Sequence, residues 1–264
     1  MLFPLVFLVC FSACVIGALC GIGGGVIIKP ALDALGVMDA ASISFLSGCT
    51  VLVMSAYSVA RSKSGGGSRI DPTTGGPLAL GAALGGVVGK WLFQALCALW
   101  NSPNLVGAVQ AACLLAVTAG TLLYTLRKNR IATLHVKNRA VCGIIGLTLG
   151  VMSSFLGIGG GPINLVVLYY FFSMDTKTAA ENSLYIILFS QIASLLLGLA
   201  TRSVPEFSPW LLALMAAGGI CGGICGRGLN RRVEARTIDR LFLGLMGLII
   251  LINIYNIFRF LRPI

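Results

Sequence analysis

Charge is what this chain has least of. Only 10% of its 264 residues are Asp, Glu, Lys or Arg, and just eight of those are acidic. A soluble domain carries about 25%, so an ordinary water-soluble fold is excluded. Histidine occurs once, at His135, in the central basic loop. One loop histidine and no pair of carboxylates in an apolar run leave no constellation for acid–base or metal chemistry. The chain is read as a non-enzyme with no cofactor and no resident metal. Residues 1–20 have no basic start and run directly into a glycine cluster, so no cleavable signal is expected there. The glycine clusters are not followed by Gly-Lys-Ser/Thr, which excludes a nucleotide P-loop.

What the chain has is apolar mass and glycine. Hydrophobic residues make up 57%, glycines number 34, and the mean hydropathy is +0.96. The expected fold class is an all-α polytopic membrane protein. The net charge of +11 does not point to nucleic acid, because the basic residues lie in short loops between apolar runs, as the positive-inside rule describes. Most of the nine cysteines fall inside apolar runs, where they act as small hydrophobes. Cys221 and Cys225 share one helix face, but no His or carboxylate joins them to make a metal site.

Long apolar spans are expected at 2–20, 39–60, 73–99, 103–126, 141–156, 178–200, 207–226 and 241–258. Two short pieces, 26–36 and 162–173, reach only about half of a roughly 30 Å bilayer core. Each follows a glycine cluster: Gly21-Ile22-Gly23-Gly24-Gly25, then Gly157-Ile158-Gly159-Gly160-Gly161. Glycine costs roughly 1 kcal/mol in a helix interior relative to alanine. Four in five residues, with Pro30 or Pro162 close by, must interrupt a helix.

The clusters belong to an internal repeat. A shift of 136 residues carries Gly21–Gly25 onto Gly157–Gly161, Asp39 onto Asp175 and Ser47 onto Ser183. A shift of 137 carries Pro72 onto Pro209, and Gly81, Gly85 and Gly89 onto Gly218, Gly222 and Gly226. These last glycines recur every fourth residue, so each triplet lines one helix face and reads as a packing seam. The domain reading is a first transmembrane repeat at 1–126, a basic cytoplasmic linker at 127–140 and a second repeat at 141–264. Each repeat holds one glycine-broken element, re-entrant or half-helical, and three to four full spans.

Two topologies compete. Where each break with its half-helix returns the chain to the side it came from, Arg61, Lys63, Arg69, the linker, Lys177 and 227–240 all lie inside. Only Lys29, Lys90, Arg202, Arg259 and Arg262 then lie outside. Eight plain spans distribute the charge far more evenly. The first fits the charge rule better and makes the repeats inverted, with both termini outside.

Glycine-interrupted segments at matching places in two halves point to a transporter's binding site. Exposed N–H groups at a half-helix start suit an anion. The candidate substrate contacts are therefore the N–H groups of Gly23, Gly24, Gly25, Gly159, Gly160 and Gly161. The side chains of Asn164, Ser47, Ser183 and Asn182 join them, with interhelical hydrogen bonding as their alternative role. Glu181 is a candidate for a coupling proton, and Gln191 reads as glue between helices. Lys29 is read either as an anion attractor or as a lysine reaching for headgroups.

The run Gly-Ile-Gly-Gly-Gly-x-Ile-x-x-Pro-x-Leu at 21–32, its second glycine cluster after a basic loop, and the overall length resemble the sulfite exporter TauE/SafE family, also called the toluene sulfonate uptake permeases. Two departures stand out: Pro162 follows its glycines directly, and residues 62–68 (Ser-Lys-Ser-Gly-Gly-Gly-Ser) form an unusual insert. The resemblance implies transport of sulfite, sulfonate, sulfoacetate or thiosulfate across a bacterial inner membrane. The expected partners are that anion and the lipid bilayer, with no nucleic acid. A coupling ion, proton or sodium, and a homodimer are left open. An anion channel and a non-transporting scaffold are the alternatives.

Overall fold

The computed structural model describes residues 2–64, 69–100 and 102–261. The glycine-rich centre of the 62–68 insert and Arg262 lie outside the described residues. Among the described residues the regular structure is entirely helical. Five helices precede the basic linker: α1 Leu2–Cys20, α2 Gly25–Leu35, α3 Ala40–Ser64, α4 Pro72–Leu99 and α5 Pro103–Arg127. Five follow it: α6 Arg139–Leu156, α7 Pro162–Phe172, α8 Thr176–Ala200, α9 Pro209–Arg232 and α10 Ala235–Leu261. Eight are long and apolar enough to cross a membrane; α2 and α7 have 11 residues each. This is a polytopic membrane protein, as its composition demands.

The residues that match across the repeat do the same local work. Asp39 accepts from the Ser42 N–H ahead of α3, and Asp175 accepts from the Lys177 and Thr178 N–H groups ahead of α8. Each carboxylate satisfies donors that a helix start leaves free. Pro72 and Pro209 open α4 and α9, where a missing N–H costs nothing. The spans run past the apolar windows at their basic ends. α9 continues to Arg232, and α3 to Ser64 through Arg61 and Lys63, because cations are favoured in the last turn of a helix.

The glycine seams join the part before the linker to the part after it. A Cβ added at Gly81, Gly85 or Gly89 would lie 2.0–2.4 Å from the α6 carbonyls of Gly143, Leu147 and Val151. One added at Gly218, Gly222 or Gly226 would press on α1 from Phe7 to Ala18. Each seam lets two backbones touch, the arrangement that replaces hydrophobic driving force in lipid.

Those contacts also fix directions. Residue numbers rise together across α4 and α6, across α1 and α9, and across α3 and α9, where Thr50 meets Gly219 and Met54 meets Gly223. So α1 and α3 run the same way, and α2 returns the chain between them. By contrast α3 and α8 run antiparallel: Ser62 bonds Glu181 at one end, and Gly48 meets Gln191 farther along.

The basic loops collect at one end. Lys128 and Thr176 both bond Asp239, at 2.6 and 3.1 Å. Arg69, Lys137 and Arg139 line one surface cavity together. The linker is stitched to the end of α7 by bonds from the Leu134 and Val136 N–H groups to the Tyr170 and Phe171 carbonyls, at 2.7 and 2.9 Å.

Candidate functional site

The two glycine bends meet at the centre of the molecule. Gly21 and Gly23 take φ of +75°, Gly157 and Gly159 take +65° and +68°, and Gly160 takes +117°. These are left-handed values that other residues adopt at a cost. They let the chain turn out of one helix and into a half-helix within four residues at the first bend and five at the second. The approach is close enough that a Cβ on Gly25 would lie 2.1 Å from the Ile158 carbonyl oxygen.

Two side chains clamp this contact. Val51 of α3 lies against Gly23, Gly25 and Gly159, and Ile187 of α8 lies against Gly23 and Gly160. Val51 and Ile187 are themselves related by the 136-residue shift. The Ile22 and Gly157 N–H groups bond back to Gly17 and Ser154 at 3.0 and 3.2 Å, whereas the Gly23, Gly159 and Gly160 N–H groups have no such bond among the described residues.

A cavity flanks the clamp on each side. One, of about 310 Å3, is lined by Ser44, Gly48, Lys90, Ser154, Gly157 and Gln191 among others, and lies away from the basic end. The other, of about 340 Å3, is lined by Ala18, Ser58, Glu181, Leu184, Arg227 and Asn230 among others, and lies toward it. The two are copies. The repeat carries Ser44 onto Ala180, Gly48 onto Leu184, Ser58 onto Ser194 and Ala18 onto Ser154, and all eight line one cavity or the other. It also carries Lys90 onto Arg227.

The side chains singled out from sequence are distributed unevenly around this centre. Ser47 donates to the Gly157 carbonyl at 2.8 Å, so it props the second bend. Its counterpart Ser183 is fully buried with a hydroxyl that has no partner. Asn164 is fully buried one turn into α7, beside Gly160, and neither of its amide atoms is paired. Asn182 faces the other way: it donates to the Thr178 and Arg69 carbonyls, at the basic end. Glu181 accepts from Ser62 and from the Arg69 N–H, both at 3.0 Å.

Lys29 takes neither of its expected roles. It is 2% exposed and bonds Asp33 at 3.0 Å, one turn along α2. A buried lysine needs such a partner, and Asp33, which carried no sequence signal as a site, supplies it.

Lys90, Ser44 and Ser154 were not marked by sequence reasoning; Lys90 was counted only as an outside charge. The signal existed, because the shift that aligns Gly89 with Gly226 places Lys90 on Arg227.

This geometry has relatives at the level of sequence. The profile described as Sulfite exporter TauE/SafE matches residues 6–253. The Probable membrane transporter protein YunE of Bacillus subtilis (strain 168) is 27% identical over 95 residues, which is 36% of this chain. That stretch spans about a third, 33%, of the relative's own length. No solved structure matches. The family pattern begins within α1, takes in both glycine bends and ends within α10, so this chain belongs to the sulfite exporter TauE/SafE family of membrane transporters.

Proposed function

We propose that this protein is a secondary transporter of small sulfur-containing anions of the sulfite, sulfonate, sulfoacetate or thiosulfate class, working in a bacterial inner membrane. The carrying observation is the meeting of two broken helices with one cavity on each side and a clamp between them. Irregular backbone at membrane depth is tolerated where it packs in protein or lines a cavity. Here it does both, and unbonded glycine N–H groups suit an oxyanion passing the bends.

The two parts of the chain act as inverted repeats in this reading, 1–126 and 141–264, joined by a cytoplasmic linker. The antiparallel run of the matched helices α3 and α8 supports it, and so does the gathering of basic loops at one end. Transport alternates access by rocking one repeat against the other, so that Val51 and Ile187 part on one side at a time. A clamp between two separate cavities favours a carrier over an open channel.

The test is counterflow of labelled sulfite and methanesulfonate in proteoliposomes, together with thermal stabilisation of the purified protein by the same anions. A binding anion raises apparent stability by mass action. Saturable counterflow is expected, stimulated by a proton or a sodium gradient according to the coupling ion. No stabilisation and no exchange with either anion would refute the reading.

A further inference from the structure

The cavity beside the second bend is lined by two buried hydroxyls without a partner and by Lys90, whose ammonium is met by an aromatic ring and not by a carboxylate. Lys90 is 9% exposed and has no carboxylate partner among the described residues; its ammonium rests 5.2 Å from the centre of the Phe93 ring. Ser44 and Ser154 are 7% and 4% exposed, and each hydroxyl is buried without a hydrogen-bond partner. A buried hydroxyl without a partner is costly, and so is a cation taken out of water without a counter-charge. One such cation and two such hydroxyls around one hollow are best explained by an anion that satisfies them together.

We infer that this hollow is an anion-binding site: Lys90, Ser44 and Ser154 hold the three oxygens of a pyramidal sulfite or sulfonate head, and Arg227 holds the same head in the duplicate cavity. The inference rests on the proposed transport function and gives it a place and a selectivity. Three donors on different elements, α3, α4 and α6, suit a head with three oxygens better than a planar carboxylate with two. The hollow is small, so only a compact anion suits it.

The duplicate differs in a way that fits a second state of the same cycle. There Arg227 is spent on the Ser58 carbonyl, and Glu181 lines the same wall. Ala18 and Ala180 stand where Ser154 and Ser44 stand in the first cavity. So in this conformation the Lys90 side is prepared for an anion, while on the Arg227 side one guanidinium nitrogen is already held by a carbonyl and only Nε and the Ser58 hydroxyl stay unpaired.

The experiment is thermal stabilisation of the detergent-purified full chain by methanesulfonate, sulfite and acetate, repeated for Lys90→Gln, Lys90→Arg and Ser154→Ala. The wild type is expected to respond to methanesulfonate and sulfite at concentrations at least about tenfold below acetate. Lys90→Gln should raise the methanesulfonate concentration needed by about tenfold or more, and Lys90→Arg should recover most of that. Ser154→Ala should keep or raise the unliganded melting temperature, because its hydroxyl bonds nothing, and still weaken the methanesulfonate response about threefold. If Lys90→Gln does not fold, Ser154→Ala decides alone. A wild type that responds while the folded variants respond identically overturns this site and leaves the transport reading intact. A wild type that responds to none of the sulfur anions, and exchanges none in proteoliposomes, overturns both.

Discussion

The two glycine bends both turn on left-handed glycines and differ in almost everything polar around them. The first is buried throughout, and its half-helix is tied down. Lys29 pairs with Asp33 on α2 itself, while Asn256 and Arg259 of α10 donate to the Pro30 and Asp33 carbonyls. The second touches the Lys90 cavity through Gly157, and its half-helix carries Asn164 with both amide atoms unpaired. Both breaks turn on left-handed glycines, at Gly21 and Gly23 and at Gly157 and Gly159, but the second runs one residue longer and takes Gly160 to φ of +117° as well. The side chains diverged, leaving one half-helix anchored by charge and the other holding spare donors.

The sharpest way to break this comparison is to add one methyl group to each bend at matched positions. A Cβ on Gly25 meets the Ile158 carbonyl at 2.1 Å, a backbone atom that cannot swing aside. A Cβ on Gly161 meets only the end of the Ile158 side chain at 3.1 Å, and Gly161 has an extended φ of 167° that any residue adopts. Gly25→Ala should therefore force the two bends apart, abolish counterflow and cost about 3 kcal/mol or more of stability. Gly161→Ala should keep most activity. Equal counterflow rates for the two variants would show that the contact at Gly25 is not essential.

The helices were legible because lipid imposes a simple rule. Apolar length marks a span, and all ten segments fall where the hydropathy and glycine pattern puts them, within a few residues at charged ends. The half-helices were legible for the same reason, since an 11-residue apolar piece cannot cross alone. The site was legible only in part. Gly23, Gly25 and Gly159 do meet, because duplication leaves a visible trace in glycine. Lys90 escaped notice because charge in a membrane protein is first read as topology. Asn182 points to Arg69 rather than to the bends because adjacent residues of a helix, here 182 and 183, do not share a face. Asp33 was legible as a partner for Lys29 only through their spacing of four, which puts both on one face of α2.

A smaller effect tests whether Asn164 is kept for function. Its repeat counterpart is Ile28, a buried apolar residue. Asn164→Leu removes a buried amide that has no partner and should raise stability by about 1 kcal/mol or more. The same change should slow sulfonate counterflow severalfold if the amide serves the passing anion. A rise in melting temperature with unchanged transport would make Asn164 a tolerated defect rather than a contact. That outcome would reduce the difference between the bends to the anchoring of α2.

The smallest effect separates the two matched serines. Ser47 donates to the Gly157 carbonyl at 2.8 Å, across 110 residues of chain, while Ser183 donates to nothing. A hydrogen bond between membrane helices is worth about 0.6 kcal/mol on average, up to about 1.7. Ser47→Ala should therefore lower the melting temperature by an amount equivalent to about 1 kcal/mol, because it also strands a buried carbonyl at the second bend. Ser183→Ala should leave stability unchanged or raise it slightly, because it strands no partner. A double variant that loses no more than Ser47→Ala alone would show that the two positions, matched in sequence, are independent in energy. Equal losses from the two single variants would mean that the first bend is propped by Ser183 as the second is by Ser47. The inequality between the halves would then reside in the cavities and not in the bends.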